Sequence, residues 1–122
     1  MYVSHLECPK CNSRFNHKEL NQLCTSCQAP LLVRYDLKAV KENFKKESLS
    51  SRSSNLWRYK ELLPIEDEKN IVSLGEVITP LIKLEKLEKK LGLKNLYLKD
   101  EGFNPGGSFK SRGAAVGISK AK

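Results

Sequence analysis

The chain has 122 residues, 39% of them apolar, with 22 lysines and arginines against 14 aspartates and glutamates, for a formal net charge of +8. That length suits one domain, or a small module joined to part of another. No stretch approaches the roughly 18 unbroken apolar residues of a membrane-spanning helix, and Met1–Glu7 has neither the basic nor the apolar region of a secretion signal. The expected compartment is therefore the reducing cytoplasm.

Residues 1–35 form a cysteine module. Cys8-Pro9-Lys10-Cys11 and Cys24-Thr25-Ser26-Cys27 are two C-x2-C knuckles separated by 12 residues. Each knuckle can turn both thiolates toward one ion, and two knuckles close a tetrahedral site of the kind that holds structural zinc. Two disulfides or a redox pair remain alternatives, but a reducing compartment favours metal. Four sulfur ligands leave no position for water, so the expected role is in folding rather than catalysis. His5 and His17 lie nearby in sequence and are expected at the surface, because the cysteines already fill the site. Lys10, Arg14, Lys18 and Arg34 against Glu7 and Glu19 give this module +2. Four thiolates and one Zn²⁺ contribute −2, leaving it near neutral and the whole chain at +6. A nucleic-acid partner is not expected, since the basic excess lies in lysine-rich faces elsewhere.

Residues 36–70 read as a helical connector. Asp36 can cap a helix from Leu37 to Lys46, with Leu37, Val40 and Phe44 on one face. Glu47–Asn55 is serine-rich and reads as a flexible linker. Leu56-Trp57-Arg58-Tyr59 follows, with Trp57 expected as a docking anchor rather than a ligand platform, and Pro64 ends this stretch.

Residues 71–122 have an α/β pattern. Gly75–Leu81 is a turn leading into an extended piece, and Leu84, Leu87 and Leu91 share a helical face that Gly92 can stop. Leu96-Tyr97-Leu98 is a buried-strand candidate. A loop over Glu101–Gly107 precedes a helix opened by Ser108 that includes Ala114, Ala115 and Ile118. One strand and its helix cannot make a parallel sheet, so the chain is expected to be the first part of a larger domain.

The run Asn104-Pro105-Gly106-Gly107-Ser108-Phe109-Lys110-Ser111-Arg112-Gly113 carries the most chemical information. A phosphate-cradling P-loop needs lysine directly after its last glycine, and here Lys110 comes three residues after Gly107. A lysine at a helix start beside glycines also suits Schiff-base chemistry, because the helix N-terminus disfavours the protonated amine. From the residues alone, an ordinary surface lysine on a first helical turn stays open.

This run resembles the N-P-T-G-S-F-K-D-R-G signature of threonine synthases, within the pyridoxal-phosphate-dependent fold type II family. Gly75-Glu76-Val77-Ile78-Thr79-Pro80-Leu81 is similar to the family's G-E-G-x-T-P-L segment, and Leu96–Glu101 to its strand and K-x-E element. Trp57-Arg58-Tyr59 resembles the W-R-Y that follows a zinc-ribbon-like N-terminal module in many of these enzymes. The resemblance implies pyridoxal 5'-phosphate held covalently at Lys110, with Ser108 and Asn104 lining the cofactor site or serving only as helix cap and turn. It implies conversion of O-phospho-L-homoserine and water to L-threonine and phosphate, with a phosphorylated amino acid as substrate, no membrane partner and a homodimeric complete enzyme. In this reading the resemblance covers about the first third of such an enzyme, and the 122-residue chain alone is expected to be inactive. Arg112 could face substrate phosphate or solvent.

Gly106 and Ser111 depart from the family's threonine and aspartate. Cysteate synthase and threonine dehydratase therefore remain alternatives, the zinc module favouring the former over the latter. A non-catalytic zinc-binding interaction or nucleic-acid module is the alternative outside this chemistry.

Overall fold

The structure is a computed structural model and describes all residues from Met1 to Lys122. The chain folds into two compact units, Met1–Arg52 with Tyr59–Glu66, and Ser53–Arg58 with Asp67–Lys122. Residues 36–70 are thus divided between them. No helix is long and apolar enough to cross a membrane.

The first unit is built on a three-stranded antiparallel sheet of order β2-β1-β3, where β1 is Val3–Glu7, β2 is Arg14–Phe15 and β3 is Leu32–Tyr35. In β1, Leu6 lies opposite Phe15 on one side and Val33 on the other, and Glu7 lies opposite Arg14 and Leu32. Opposed apolar pairs and opposite charges on adjacent strands both stabilise such a register. Glu7 also reaches Arg34, 2.6 Å from Nη2 and 2.8 Å from Nε. That guanidinium holds the Glu7 carboxyl below its ordinary pKa.

Asp36 caps α1, Leu37–Asn43, by accepting the Ala39 N–H at 2.9 Å. The helix ends sooner than the spacing predicts, and its apolar face is narrower. Val40 is buried and Phe44 half-buried, but Leu37 is 67% exposed because nothing packs over the first turn. The serine-rich stretch is not a loose linker. Lys46–Ser51 winds into a 3-10 helix, with the Ser48, Ser50 and Ser51 hydroxyls donating to the carbonyls of Lys45, Glu47 and Ser48. Those short side chains complete the backbone's own hydrogen bonding three residues back, a local option that composition alone does not weigh. Arg52 then pairs through both terminal nitrogens with Glu61 at 2.7 Å and lies over the Phe44 ring, 5.4 Å from its centre.

The second unit mixes helices and strands. Strands β4, Leu81–Lys83, and β5, Tyr97–Lys99, pair antiparallel with Ile82 opposite Leu98. Between them runs α2, Glu85–Leu91, ended by Gly92 in the left-handed conformation at φ 66°. The strand expected to be buried is open. Tyr97 and Leu98 are each 46% exposed, since a lone two-stranded sheet leaves its faces open. Leu87 and Leu91 likewise remain exposed on α2.

The last element, α3, spans Lys110–Ala121. It buries Ala115 and Ser119, one turn apart on a single face. Ser119 accepts the Val72 N–H at 2.8 Å and donates to the Ala115 carbonyl at 2.7 Å. The other buried side chains of this unit are Glu76, Thr79 and Asn104, all polar. Polar groups at such depth need partners, and those partners define the site.

Candidate functional site

The cysteine knuckles fold alike. In each, the residue after the second cysteine turns left-handed, Asn12 at φ 60° and Gln28 at φ 57°. Its N–H returns to the carbonyl of the first cysteine at 2.9 Å. Cys8 and Cys24 also donate their own N–H groups to Ser13 and Ala29 at 2.9 Å. The two turns aim four sulfurs at one point.

Cys8, Cys11, Cys24 and Cys27 place their Sγ atoms within 4.8 Å of one another. Cys8 to Cys27 is 3.3 Å, Cys11 to Cys24 is 3.5 Å and Cys11 to Cys27 is 3.8 Å. A disulfide requires about 2.05 Å, and all four thiols are free. A tetrahedral zinc with bonds of about 2.3 Å needs sulfurs about 3.8 Å apart. The donor set therefore fits a tetrathiolate metal site. Hydrogen bonding with the Ser13 side chain and backbone draws the Cys11 thiol down to about 6. The Ala29 N–H favours the Cys27 thiolate, but contact with Cys8, burial and the two remaining thiols push Cys27 up to about 12.

Neither histidine joins this cluster, and neither is a simple surface residue. The His5 side chain is 22% exposed, between Ser4 at 2.5 Å and Glu7 at 3.5 Å. The His17 side chain is 13% exposed, with Nδ1 3.9 Å from Glu66.

The lysine-bearing loop begins where β5 ends. Asp100 donates its N–H to Pro80 at 3.0 Å and caps a 3-10 turn at Glu101–Phe103. A second turn over Pro105–Gly107 follows, closed by the Gly107 N–H on the Asn104 carbonyl at 2.9 Å. Gly106 and Gly107 both have positive φ, 71° and 64°, and a Cβ at either would meet no atom within 4 Å. The backbone angle, rather than crowding, therefore calls for glycine. A threonine at position 106 would be strained in this conformation, which gives a local reason for that departure from the threonine synthase signature.

Ser108 is extended, and its hydroxyl accepts the Lys110 N–H at 3.3 Å while its carbonyl receives the Ser111 hydroxyl at 3.1 Å. These bonds brace the entry to α3, whose N-cap position is Phe109. Lys110 stands in the first turn with its side chain exposed. Asn104 is only 3% exposed. Its Nδ2 donates to the Glu101 carboxylate at 2.7 Å, and its Oδ1 is buried with no hydrogen-bond partner. An exposed amine at a helix start, glycines open on their outer side and an orphaned acceptor fit a bulky carbonyl cofactor such as pyridoxal phosphate. Lys110 is the residue that could hold it, with Asn104 and Ser108 shaping the loop beside it.

Arg112 does not face open solvent or stand ready for a phosphate. Its Nε and Nη2 meet Glu101 at 2.7 and 3.1 Å, and Nη2 also donates to the Val77 carbonyl at 2.8 Å. Thr79, which is buried, donates its hydroxyl to the same carboxylate at 2.5 Å. The Arg112 guanidinium first, and then the Thr79 hydroxyl, hold Glu101 down to about 2. Glu76 is fully buried. Burial works to raise its pKa, but Ser73, the N–H groups of Glu76 and Leu74, and the Arg112 charge prevail and leave it lowered. Sequence reasoning placed Glu76, Thr79 and Glu101 in motifs but assigned them no role. No local pattern joins them, because Thr79 and Arg112 reach Glu101 from 22 and 11 residues away in sequence.

Residues 72–122 match the family described as pyridoxal-phosphate dependent enzyme. The chain is 45% identical over 114 residues to a threonine synthase of Methanocaldococcus jannaschii, covering 93% of this chain and 28% of that protein. It is 41% identical over 117 residues to a threonine synthase of Methanosarcina acetivorans, covering 96% and 28%. A threonine synthase of Halalkalibacterium halodurans is 52% identical over 67 residues, 55% of this chain and 19% of that protein. The chain thus spans little more than a quarter of the length of the first two relatives. No solved structure matches it.

Proposed function

We propose, from the premise that residues 72–122 fall within the pyridoxal-phosphate dependent enzyme family, that this chain serves as part of a threonine synthase-like enzyme. In this reading the enzyme converts O-phospho-L-homoserine and water to L-threonine and phosphate. The observation that carries the reading is similarity to a threonine synthase over 96% of the chain, a share too large to leave out either the cysteine module's Cys8–Cys27 or the lysine loop.

Pyridoxal phosphate, when bound, supplies the electron sink that stabilises negative charge at the substrate carbons. Lys110 would supply the amine that holds the cofactor, and its Nζ would accept and return protons during the reaction. Its seat at the first turn of α3 suits this, because the helix N-terminus lowers the cost of a neutral amine. Ser108 fixes the helix start, and the left-handed glycines keep the approach to Lys110 clear. The four cysteines would hold one zinc ion as a folding element. Substrate phosphate binding and the rest of the cofactor cradle are assigned to no residue of this chain, which spans 28% of that relative's length.

The test is a product assay on the protein that carries this chain, supplied with pyridoxal phosphate and O-phospho-L-homoserine. Threonine and phosphate in equal amounts, both abolished by Lys110→Ala, support the reading. Release of 2-oxobutanoate from threonine, or cysteate from phosphoserine and sulfite, without threonine formation would reassign the substrate. The 122-residue chain alone is expected to give no sustained turnover.

A further inference from the structure

The sequence motifs leave Glu101 without a task, yet four hydrogen bonds converge on its carboxylate. Arg112 contributes two, at 2.7 and 3.1 Å, Asn104 one at 2.7 Å and Thr79 one at 2.5 Å. We propose that Glu101 is a positioning residue, which ties the segment before β4, the glycine loop and the first turn of α3 to one point and so fixes the seat of Lys110. The part of this inference that concerns Lys110 as the cofactor lysine rests on the function proposed above; the clamp itself does not.

Three features make the arrangement a clamp rather than an incidental ion pair. First, Arg112 sits two residues after Lys110 in the same helical turn, and its guanidinium has two anchors, the first being Glu101 through Nε and Nη2. Its second anchor is the Val77 carbonyl at 2.8 Å. Fixing that side chain fixes the rotation of α3 about its axis, and with it the direction from which Lys110 leaves the backbone.

Second, a carboxylate only accepts hydrogen bonds. Glu101 must therefore receive the Nδ2 of Asn104, and the buried Oδ1 is turned the other way, unpartnered. The amide is oriented by chemistry, not left free to flip. Third, the loop between the clamp's two ends contains Gly106 and Gly107, both left-handed. Such a loop carries high conformational entropy, and a tether from residue 101 to residue 112 closes it. An exposed arginine–carboxylate pair alone would contribute little. Here both side chains are 26% exposed, and buried Thr79 and Asn104 complete the carboxylate's shell. Lys99 extends the network by donating to the Thr79 carbonyl at 2.5 Å.

The test uses the 122-residue chain and its Glu101→Gln and Arg112→Lys variants, with two readouts that need no turnover. Hydrogen exchange is followed at the Gly102, Asn104, Gly107 and Ser111 amides, all hydrogen-bonded within the loop. The chain is also reacted with pyridoxal phosphate, reduced with borohydride and mapped for the ratio of label at Lys110 to label at Lys120 on the same helix. Glu101→Gln is expected to speed exchange at those four amides by roughly tenfold or more, the factor for losing a hydrogen bond to a charged group. Exchange in β4 and β5 stays unchanged. The labelling ratio falls toward one, and Arg112→Lys gives an intermediate change in both readouts. Unchanged loop exchange in Glu101→Gln overturns the proposal. So does loss of protection throughout the second unit in both variants, which would make the network a general fold support. If loop exchange rises as expected but the unsubstituted chain is labelled evenly at Lys110 and Lys120, the clamp stands and the cofactor role of Lys110 fails.

Discussion

Removing metal from the cysteine cluster should unfold the first unit. Apart from Cys8 and Cys24, its buried apolar side chains are Val40 and Ile65. Burying each contributes about 1.5–3 kcal/mol, whereas ordering each backbone residue costs about 1–2 kcal/mol. A structural zinc bound by thiolates contributes on the order of 10–16 kcal/mol at neutral pH, which makes it the largest single stabilising contribution available to this unit. Sulfurs within 4.8 Å of one another are placed to receive it. The perturbation is a strong chelator, or Cys24→Ser at a fully buried ligand position. Hydrogen exchange of β1 and β3 and metal analysis are the assays. One zinc per chain is expected, with protection in β1 and β3 lost on chelation and restored by one equivalent of zinc. Full protection of both strands in metal-free chain would refute the reasoning, because it would mean the apolar core suffices.

Asp36→Ala removes the only side-chain cap of α1 and should cost about 1 kcal/mol, read as a lower denaturation midpoint of the first unit; no change would mean water replaces the cap without loss. Gly106→Thr, which installs the residue usual in threonine synthases, should cost about 1–2 kcal/mol at φ 71°. A stability equal to that of the unsubstituted chain would mean the loop relaxes to another conformation. Glu101 has its folded pKa lowered from 4.5 to about 2. Its contribution is therefore fully present above pH 4.5 and is lost as pH falls toward 2. Acid titration followed by exchange at the loop amides should show that step, and Glu101→Gln should remove it.

The cysteine knuckles were legible because their geometry is local. Four cysteines at two fixed spacings require only two short turns, and the left-handed Asn12 and Gln28 supply them. The Asp36 cap and the Gly92 stop were legible for the same reason, each depending on a few neighbouring residues. The serine stretch misled because hydroxyls that favour loops can also complete a 3-10 helix. Leu98 misled differently: its apolar strand pattern anticipates a covering layer, and the two-stranded sheet leaves it 46% exposed. Lys110 was singled out through its motif, while the Glu101 network was not. Thr79, Glu101 and Arg112 are brought together by the return of the chain through β4, α2 and β5, and no periodicity records that closure. The orphaned Asn104 Oδ1 is likewise a property of three-dimensional placement, set by what Glu101 can accept.

The central claim is that Lys110 is the lysine that holds pyridoxal phosphate. The direct measurement is borohydride reduction of the cofactor-loaded protein that carries this chain, followed by peptide mapping of the pyridoxyl group. The account predicts one modified residue, Lys110, with no stable label in Lys110→Arg. A label that settles on another lysine while Lys110 stays unmodified would contradict it.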